Sequence, residues 1–282
     1  MDGVRRRMTP LLLACSLLLA ACDGGVPVAS PSTPAPPTTL PPAATTAALP
    51  ASSSSVPAPP PPTAAAVAGK VVVLDPGHNG GNGTHLSEIN RQVPAGRGQT
   101  KPCNTTGTST NAGYPEHSFT WDVAQRVGKA LSAKGIKVVY TRTDDSGTGP
   151  CVDRRAEIGN EADADAVVSI HADGSNSAGA HGFHVAYSSP PLNAAQGEPS
   201  TSLAKVLRDT LVADGLAVAN YIASNGLAPR NDLAGLNLST RPAALVECGN
   251  MRNAAEAAQM TSAEGRQHYA AAIAAAIESY LA

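Results

Sequence analysis

Aromatic residues are scarce in this chain. They make up 3% of 282 residues, with a single Trp and two Phe. Stacking platforms for bases or sugar rings are therefore few. A strong excess of either charge is missing too. The formal net charge is −2, which removes the electrostatic basis for nucleic acid as a partner. No internal repeat is visible. Leu11 to Ala21 is apolar apart from Ser16, but it falls short of the roughly 20 residues that a membrane-spanning helix needs. The 42% apolar content leans on alanine.

What is present begins with an export signal. Arg5, Arg6 and Arg7 precede the apolar stretch, the order of a signal peptide. Its end, Leu19-Ala20-Ala21-Cys22, resembles the lipobox of bacterial lipoproteins. That resemblance implies cleavage before Cys22 and acylation of its thiol, with residues 1–21 removed. Val26 to Ala68 uses only Ala, Pro, Ser, Thr, Val and Leu. It is too poor in bulky apolar groups to offset ordering entropy, and its prolines forbid a regular helix. Residues 22–68 are expected to be a disordered, semi-rigid tether.

The folded unit is expected over 69–282. It is long enough for one well-buried core. Strand patterns at Lys70–Leu74, Ile136–Thr141, Ala166–Ile170, Gly182–Tyr187 and Ala243–Val246 alternate with helical ones. The clearest helix runs from Pro115 to Lys134, with Phe119, Val123, Val127 and Leu131 at four-residue spacing and Gly135 as its stop. Val152–Asn160, Ser202–Asp214 and Ala254–Leu281 complete the helical segments. The alternation predicts a single α/β domain with a mixed, mostly parallel central sheet and helices on both faces.

Ligands of such sheets bind at the carboxyl ends of the strands. His78 follows the first strand through Asp75-Pro76-Gly77, His171 directly follows the third, and Glu247 directly follows Val246. Glu116 opens the long helix. Two imidazoles and one carboxylate leave one position of a tetrahedral zinc open for water, whose pKa zinc lowers to about 7. Glu247, embedded in Ala-Ala-Leu-Val-Glu-Cys, is costly to bury charged without a partner or a task. Each residue alone has a structural reading. A strand-end His is often simply satisfied by its neighbours, and Glu116 could only favour a helix N-terminus.

Context narrows the choice. Val-Val-Leu-Asp-Pro-Gly-His-Asn-Gly (72–80), Val-Ser-Ile-His-Ala-Asp (168–173) and Ala-Leu-Val-Glu-Cys-Gly-Asn-Met-Arg-Asn (244–253) resemble, in order, three motifs of the zinc-dependent N-acetylmuramoyl-L-alanine amidases, the amidase 3 family. Tyr140-Thr141-Arg142, Arg155 and Arg230-Asn231-Asp232-Leu233 fall in the family's order too. The resemblance covers about residues 70 to 282. It implies that His78, Glu116 and His171 bind Zn2+ and that Glu247 is the catalytic acid and base. The reaction implied is hydrolysis of the amide between N-acetylmuramic acid and L-alanine of the stem peptide. Peptidoglycan and muramyl-peptide fragments are then the partners, with a membrane contact through Cys22. An exported, monomeric enzyme at the outer face of the bacterial cytoplasmic membrane is expected.

The chain departs from the family in one place. Family members usually carry the ligand glutamate closer to the first histidine, often followed by Lys, whereas here His117 follows Glu116. Glu88 is the rival at shorter spacing. The extra segment, Asn82 to Gly113, is expected as a loop or hairpin beside the zinc crevice. Cys103 lies in it and Cys151 lies after the next strand. Oxidising conditions outside the cytoplasm predict a disulfide between them, against two free thiols, while Cys248 stays reduced. His181 and His184 leave open a second metal, or one residue at the cleft and one in solvent. Two other functions also stay open: a zinc-dependent cell-wall peptidase, and an inactive wall-binding lipoprotein.

Overall fold

The computed structural model describes residues 64–282. The signal peptide, most of the tether and Cys22 lie outside the described residues. In chain order the helices are α1 (Ala64–Val67), α2 (Leu86–Ile89), α3 (Glu116–Ser132), α4 (Val152–Glu161), α5 (Glu198–Ala213), α6 (Ala234–Asn237), α7 (Ala254–Thr261) and α8 (Ala263–Leu281). The strands are β1 (Val71–Pro76), β2 (Gln92–Gly96), β3 (Gln99–Pro102), β4 (Lys137–Tyr140), β5 (Ala166–Asp173), β6 (His184–Ser188), β7 (Leu227–Arg230) and β8 (Ala243–Asn250).

Six strands form one sheet in the order β4-β1-β5-β8-β6-β7. The first four run parallel, and β6 and β7 run the other way. The sheet is therefore mixed and mostly parallel, as expected. Period-two alternation sorts its side chains. Val72, Leu74, Val168, Ile170, Ala244, Val246 and Cys248 point to one face, under α3, α5 and α8. Val73, Val167, Ala243 and Leu245 point to the other, where α4 and α6 lie. The central strands β1, β5 and β8 are largely apolar on both faces because helices cover both.

The long helix forms on the expected stripe: Phe119, Val123, Val127 and Leu131 are all buried. Gly128 lets α3 sit close to β4, since a Cβ there would lie 1.8 Å from the Tyr140 hydroxyl. Gly135 adopts φ 79°, which ends the segment.

Several elements differ from the sequence reading: β5 and β8 run on to Asp173 and Asn250, so His171 and Glu247 lie within their strands and not just after them. The folded part starts before Gly69, because α1 packs on α8 and Val67 is buried in the core. α5 starts at Glu198, not Ser202: Pro199 sits in the first turn, where its missing N–H costs no helical bond. β7 escaped notice because it is four residues long and contains Pro229, which is tolerated at the sheet edge where it lies.

The insertion after His78 contains a hairpin, β2–β3. Its two-residue turn, Arg97-Gly98, has φ 55° and 70°, the positive pair that a type I′ turn requires. Arg97 bonds Asn237 and Ser188 at 3.2 and 3.1 Å, and Asn237 bonds the carbonyl of Ala95 at 3.0 Å, which fastens the tip to α6 and β6. At its base Cys103 and Cys151 are joined as a disulfide, and Cys248 is free and buried.

The ring of Phe119 meets Tyr269 of α8 edge-on, with centroids 5.6 Å apart. Phe119→Ala is expected to cost about 3–5 kcal/mol through the cavity it leaves. Urea unfolding of the two proteins measures it.

Candidate metal centre

The register places the chemistry. β1, β5 and β8 are neighbours, and His171 stands directly opposite Glu247 across the β5–β8 ladder. Ser169 precedes His171 by two residues and Leu245 precedes Glu247 by two, so both groups sit on the α4–α6 face. Cys248 falls on the opposite face.

His78 reaches the same point from the end of β1. Its backbone has φ 60°, a left-handed conformation that a non-glycine residue adopts at a cost. Two arginines hold it there. Arg155 of α4 donates to the carbonyl of Pro76 at 2.7 Å and to that of His78 at 2.8 Å. Arg142 donates to the carbonyl of Pro76 at 3.0 Å, and Thr120 donates to that of Gly77 at 2.8 Å. Arg155 is itself paired with Asp75 at 2.8 Å. Asp75 also accepts from Thr141 and Ser169. Burial alone would raise the pKa of Asp75; the Arg155 charge and these donors bring it down to about 2.

Glu116 is 4% exposed and lies between the two histidines. Its Oε2 is 3.1 Å from Nε2 of His78, and its Oε1 is 3.0 Å from Nδ1 of His171. The backbone N–H groups of Thr108 and Ala172 donate to the same carboxylate at 2.9 and 3.1 Å. Burial raises the carboxyl's pKa, but His78 and His171 outweigh it and hold the group well below the ordinary range. The other ring nitrogen of His78, Nδ1, is 3.0 Å from the carbonyl of Thr105. A proton held at Nδ1 leaves Nε2 as the ligating atom.

The donor atoms of these three residues lie within 4.8 Å of one another. The separations near 3 Å match the roughly 3.3 Å edge of a tetrahedron of zinc ligands at about 2.0 Å. Two imidazoles and a carboxylate, one imidazole already oriented by a carbonyl, fit a divalent metal.

Glu247 faces this cluster. Its Oε2 is buried with no hydrogen-bond partner among the described residues. Burial, then the charges of Glu116 and Asp173, push its carboxyl well above the ordinary range, against the pull of Arg230. A carboxyl shifted in that direction moves toward the neutral-pH window where general bases work. A cavity of about 400 Å³ opens beside the cluster, lined among others by Lys101, Thr105, Leu236 and Leu245.

Other candidates fall elsewhere. Glu88 is exposed and accepts from Thr148 at 2.8 Å. His117 points away and bonds Asp145 at 2.7 Å. His181 is exposed, His184 is buried, and they form no second metal cluster among the described residues. The sequence reading missed Asp173, Tyr221 and Arg230 as neighbours of Glu247. Tyr221 donates to Asp173 at 2.9 Å. Asp173 could have been found, since it follows His171 by two residues on the strand.

A His-Glu-His cluster that could hold a metal ion, gathered where parallel strands β1 and β5 meet the start of α3 and set beside a glutamate with raised proton affinity, suits a metal-dependent hydrolase of α/β architecture. Comparison makes this particular. The amidase 3 family model, described as N-acetylmuramoyl-L-alanine amidase, matches residues 72–279. N-acetylmuramoyl-L-alanine amidase Rv3717 of Mycobacterium tuberculosis is 53% identical over 215 residues, 76% of this chain and 88% of that protein. The crystal structure of the N-acetylmuramyl-L-alanine amidase Ami1 of Mycobacterium smegmatis superposes with a TM-score of 0.74 at 55% identity, covering 76% of this chain and 98% of that one. The amidase AmiC2 of Nostoc punctiforme follows at 26% identity and a TM-score of 0.57, over 75% of this chain and 97% of its own. The chain belongs to the N-acetylmuramoyl-L-alanine amidase family.

Two predictions test the site's supports. A Cβ on Gly77 would lie 2.2 Å from Cε1 of His171. Gly77→Ala is expected to weaken divalent-metal binding by about 10–100-fold, read by chelator competition. Asp75 titrates lower folded than unfolded, so its contribution is present above pH 4 and lost as pH falls toward 2. The loss amounts to about 2–3 kcal/mol. Unfolding free energies of the wild type should fall through that window more steeply than those of Asp75→Asn.

Proposed function

We propose that this chain is a zinc-dependent N-acetylmuramoyl-L-alanine amidase in which His78, Glu116 and His171 hold the metal and Glu247 moves the proton. Its substrate is the amide joining the lactyl group of N-acetylmuramic acid to the L-alanine of a stem peptide. The observation that carries this reading is the convergence of the His78, Glu116 and His171 side chains beside the buried carboxyl of Glu247, which stands opposite His171 in the sheet.

When bound, zinc supplies Lewis acidity and makes water a nucleophile near neutral pH. The protein's own residues do the rest. Glu116 offers its charge to both histidines, and Thr108 and Ala172 keep its oxygens aimed at them. Glu247 takes the proton of the attacking water and delivers it to the leaving amine nitrogen. Its raised proton affinity suits both halves of that transfer. Lys101 and Thr105 bring the insertion to the rim of the cavity, where the stem and the sugar enter.

The wall places the enzyme outside the cytoplasm. Among the described residues no helix is long and apolar enough to cross a membrane. The Leu-Ala-Ala-Cys sequence supports attachment through an acylated Cys22, with residues 22–68 read as the tether.

Purified full chain, loaded with zinc and given a muramyl peptide, is expected to release intact sugar and intact peptide by mass. Removing the metal with a chelator abolishes the release, and added Zn2+ restores it. Glu247→Gln is expected to lower kcat by about 10²–10⁴-fold while the protein still carries one zinc. Full activity of that variant would overturn the assignment.

A further inference from the structure

One row of the sheet runs from His171 of the metal site through Glu247, and that row has a third member. His171 on β5 stands opposite Glu247 on β8, and Glu247 stands opposite His184 on β6. The alternation along β6 confirms the face: Ala186 lies with Leu245 on the α4–α6 side, while Val185 lies with Val246 on the other. A metal ligand, the acid and base, and a second imidazole therefore sit side by side on three adjacent strands. Side chains directly opposed in an antiparallel pair have Cβ atoms about 5 Å apart.

His184 is 2% exposed, and its Nδ1 is buried with no hydrogen-bond partner among the described residues. Oε2 of Glu247 is in the same condition. They are two of six such atoms among the described residues and the two that share a row of the sheet; each costs about 1–3 kcal/mol unless something answers it. They are complementary, since a neutral imidazole N–H donates and a carboxylate oxygen accepts. Of the other charged groups near Glu247, Glu116 bonds the metal-site histidines and Arg230 is paired with Asp232 at 2.6 Å. Asp173 is engaged by Tyr221.

We propose that His184 is the positioning residue of Glu247: Nδ1–H of His184 donates to Oε2 of Glu247 in the working enzyme, leaving Oε1 to face the water and the leaving nitrogen. The assignment rests on the reading of Glu247 as acid and base. It accounts for both orphaned atoms with one bond between directly opposed residues. Burial disfavours the charged imidazole and lowers its pKa, so His184 is neutral at the pH of the reaction, as this donor role requires.

Asparagine places its amide nitrogen where Nδ1 of histidine sits; glutamine places its own nearer Nε2. The zinc-loaded full chain is assayed on a muramyl peptide as wild type, His184→Ala, His184→Asn and His184→Gln, and again with Glu247→Gln added. Zinc content and melting temperature are measured on each protein. The expected result for His184→Ala is a fall in kcat of about 10–100-fold with KM within about two-fold and zinc content unchanged. His184→Asn recovers most of that loss, His184→Gln does not, and none of the three lowers activity further in the Glu247→Gln background. Wild-type kcat in His184→Ala overturns the proposal, as does equal behaviour of the Asn and Gln variants. A kcat loss that follows lost zinc or lost stability overturns it as well. Failure of the underlying reading looks different: Glu247→Gln would itself remain active.

Discussion

A carboxylate buried between two imidazoles is the interaction on which this molecule's chemistry depends. Glu116 is almost wholly withdrawn from water, which by itself would neutralise it. It stays ionised because His78, His171 and two backbone N–H groups surround it. The cluster is thus assembled, with its donor atoms aimed inward, by forces that act on the protein alone. A divalent metal taking the place of the shared protons would meet donor atoms already in place, so little ordering entropy would oppose its binding.

Holding His78 in that position is a backbone problem. Its left-handed conformation persists because the carbonyls of Pro76, Gly77 and His78 are all engaged by Arg142, Arg155 and Thr120. Arg155 in turn is neutralised by Asp75, so the arginine enters the interior as half of an ion pair. Removing either partner would leave the other charge buried alone, a far larger loss than the pair's own worth. This explains why an Asp-Pro-Gly-His turn after β1 comes with one arginine just past the end of β4 and another on α4.

The insertion between His78 and Glu116 couples the site to the rim of the fold. Thr105 orients His78 and Thr108 orients Glu116, so these loop residues belong to the metal site's support. The hairpin within the insertion is tied down by Arg97 at its tip and by the disulfide at its base. Its polar composition marked it as a loop. That its backbone touches His78 and Glu116 could not be read, because the path of an irregular loop is set by packing and not by local periodicity.

Period and local chemistry made much of this protein legible. The stripe of α3 and the apolar runs of β1, β5 and β8 follow from the sequence alone, since alternation and helical repeat depend only on neighbours in the chain; that β5 and β8 continue past His171 and Glu247 does not, because the polar residues there are held by pairing. Motif resemblance then chose Glu116 over Glu88, and the fold agrees because only Glu116 opens a helix pointed at both histidines. The order β4-β1-β5-β8-β6-β7, the reversal of β6, and the row His171–Glu247–His184 were decided by tertiary structure. Register between strands is set by how whole faces pack against helices, and no single strand carries that information. Hence His184 read as an unassigned histidine in the chain, and only the folded sheet sets it beside Glu247.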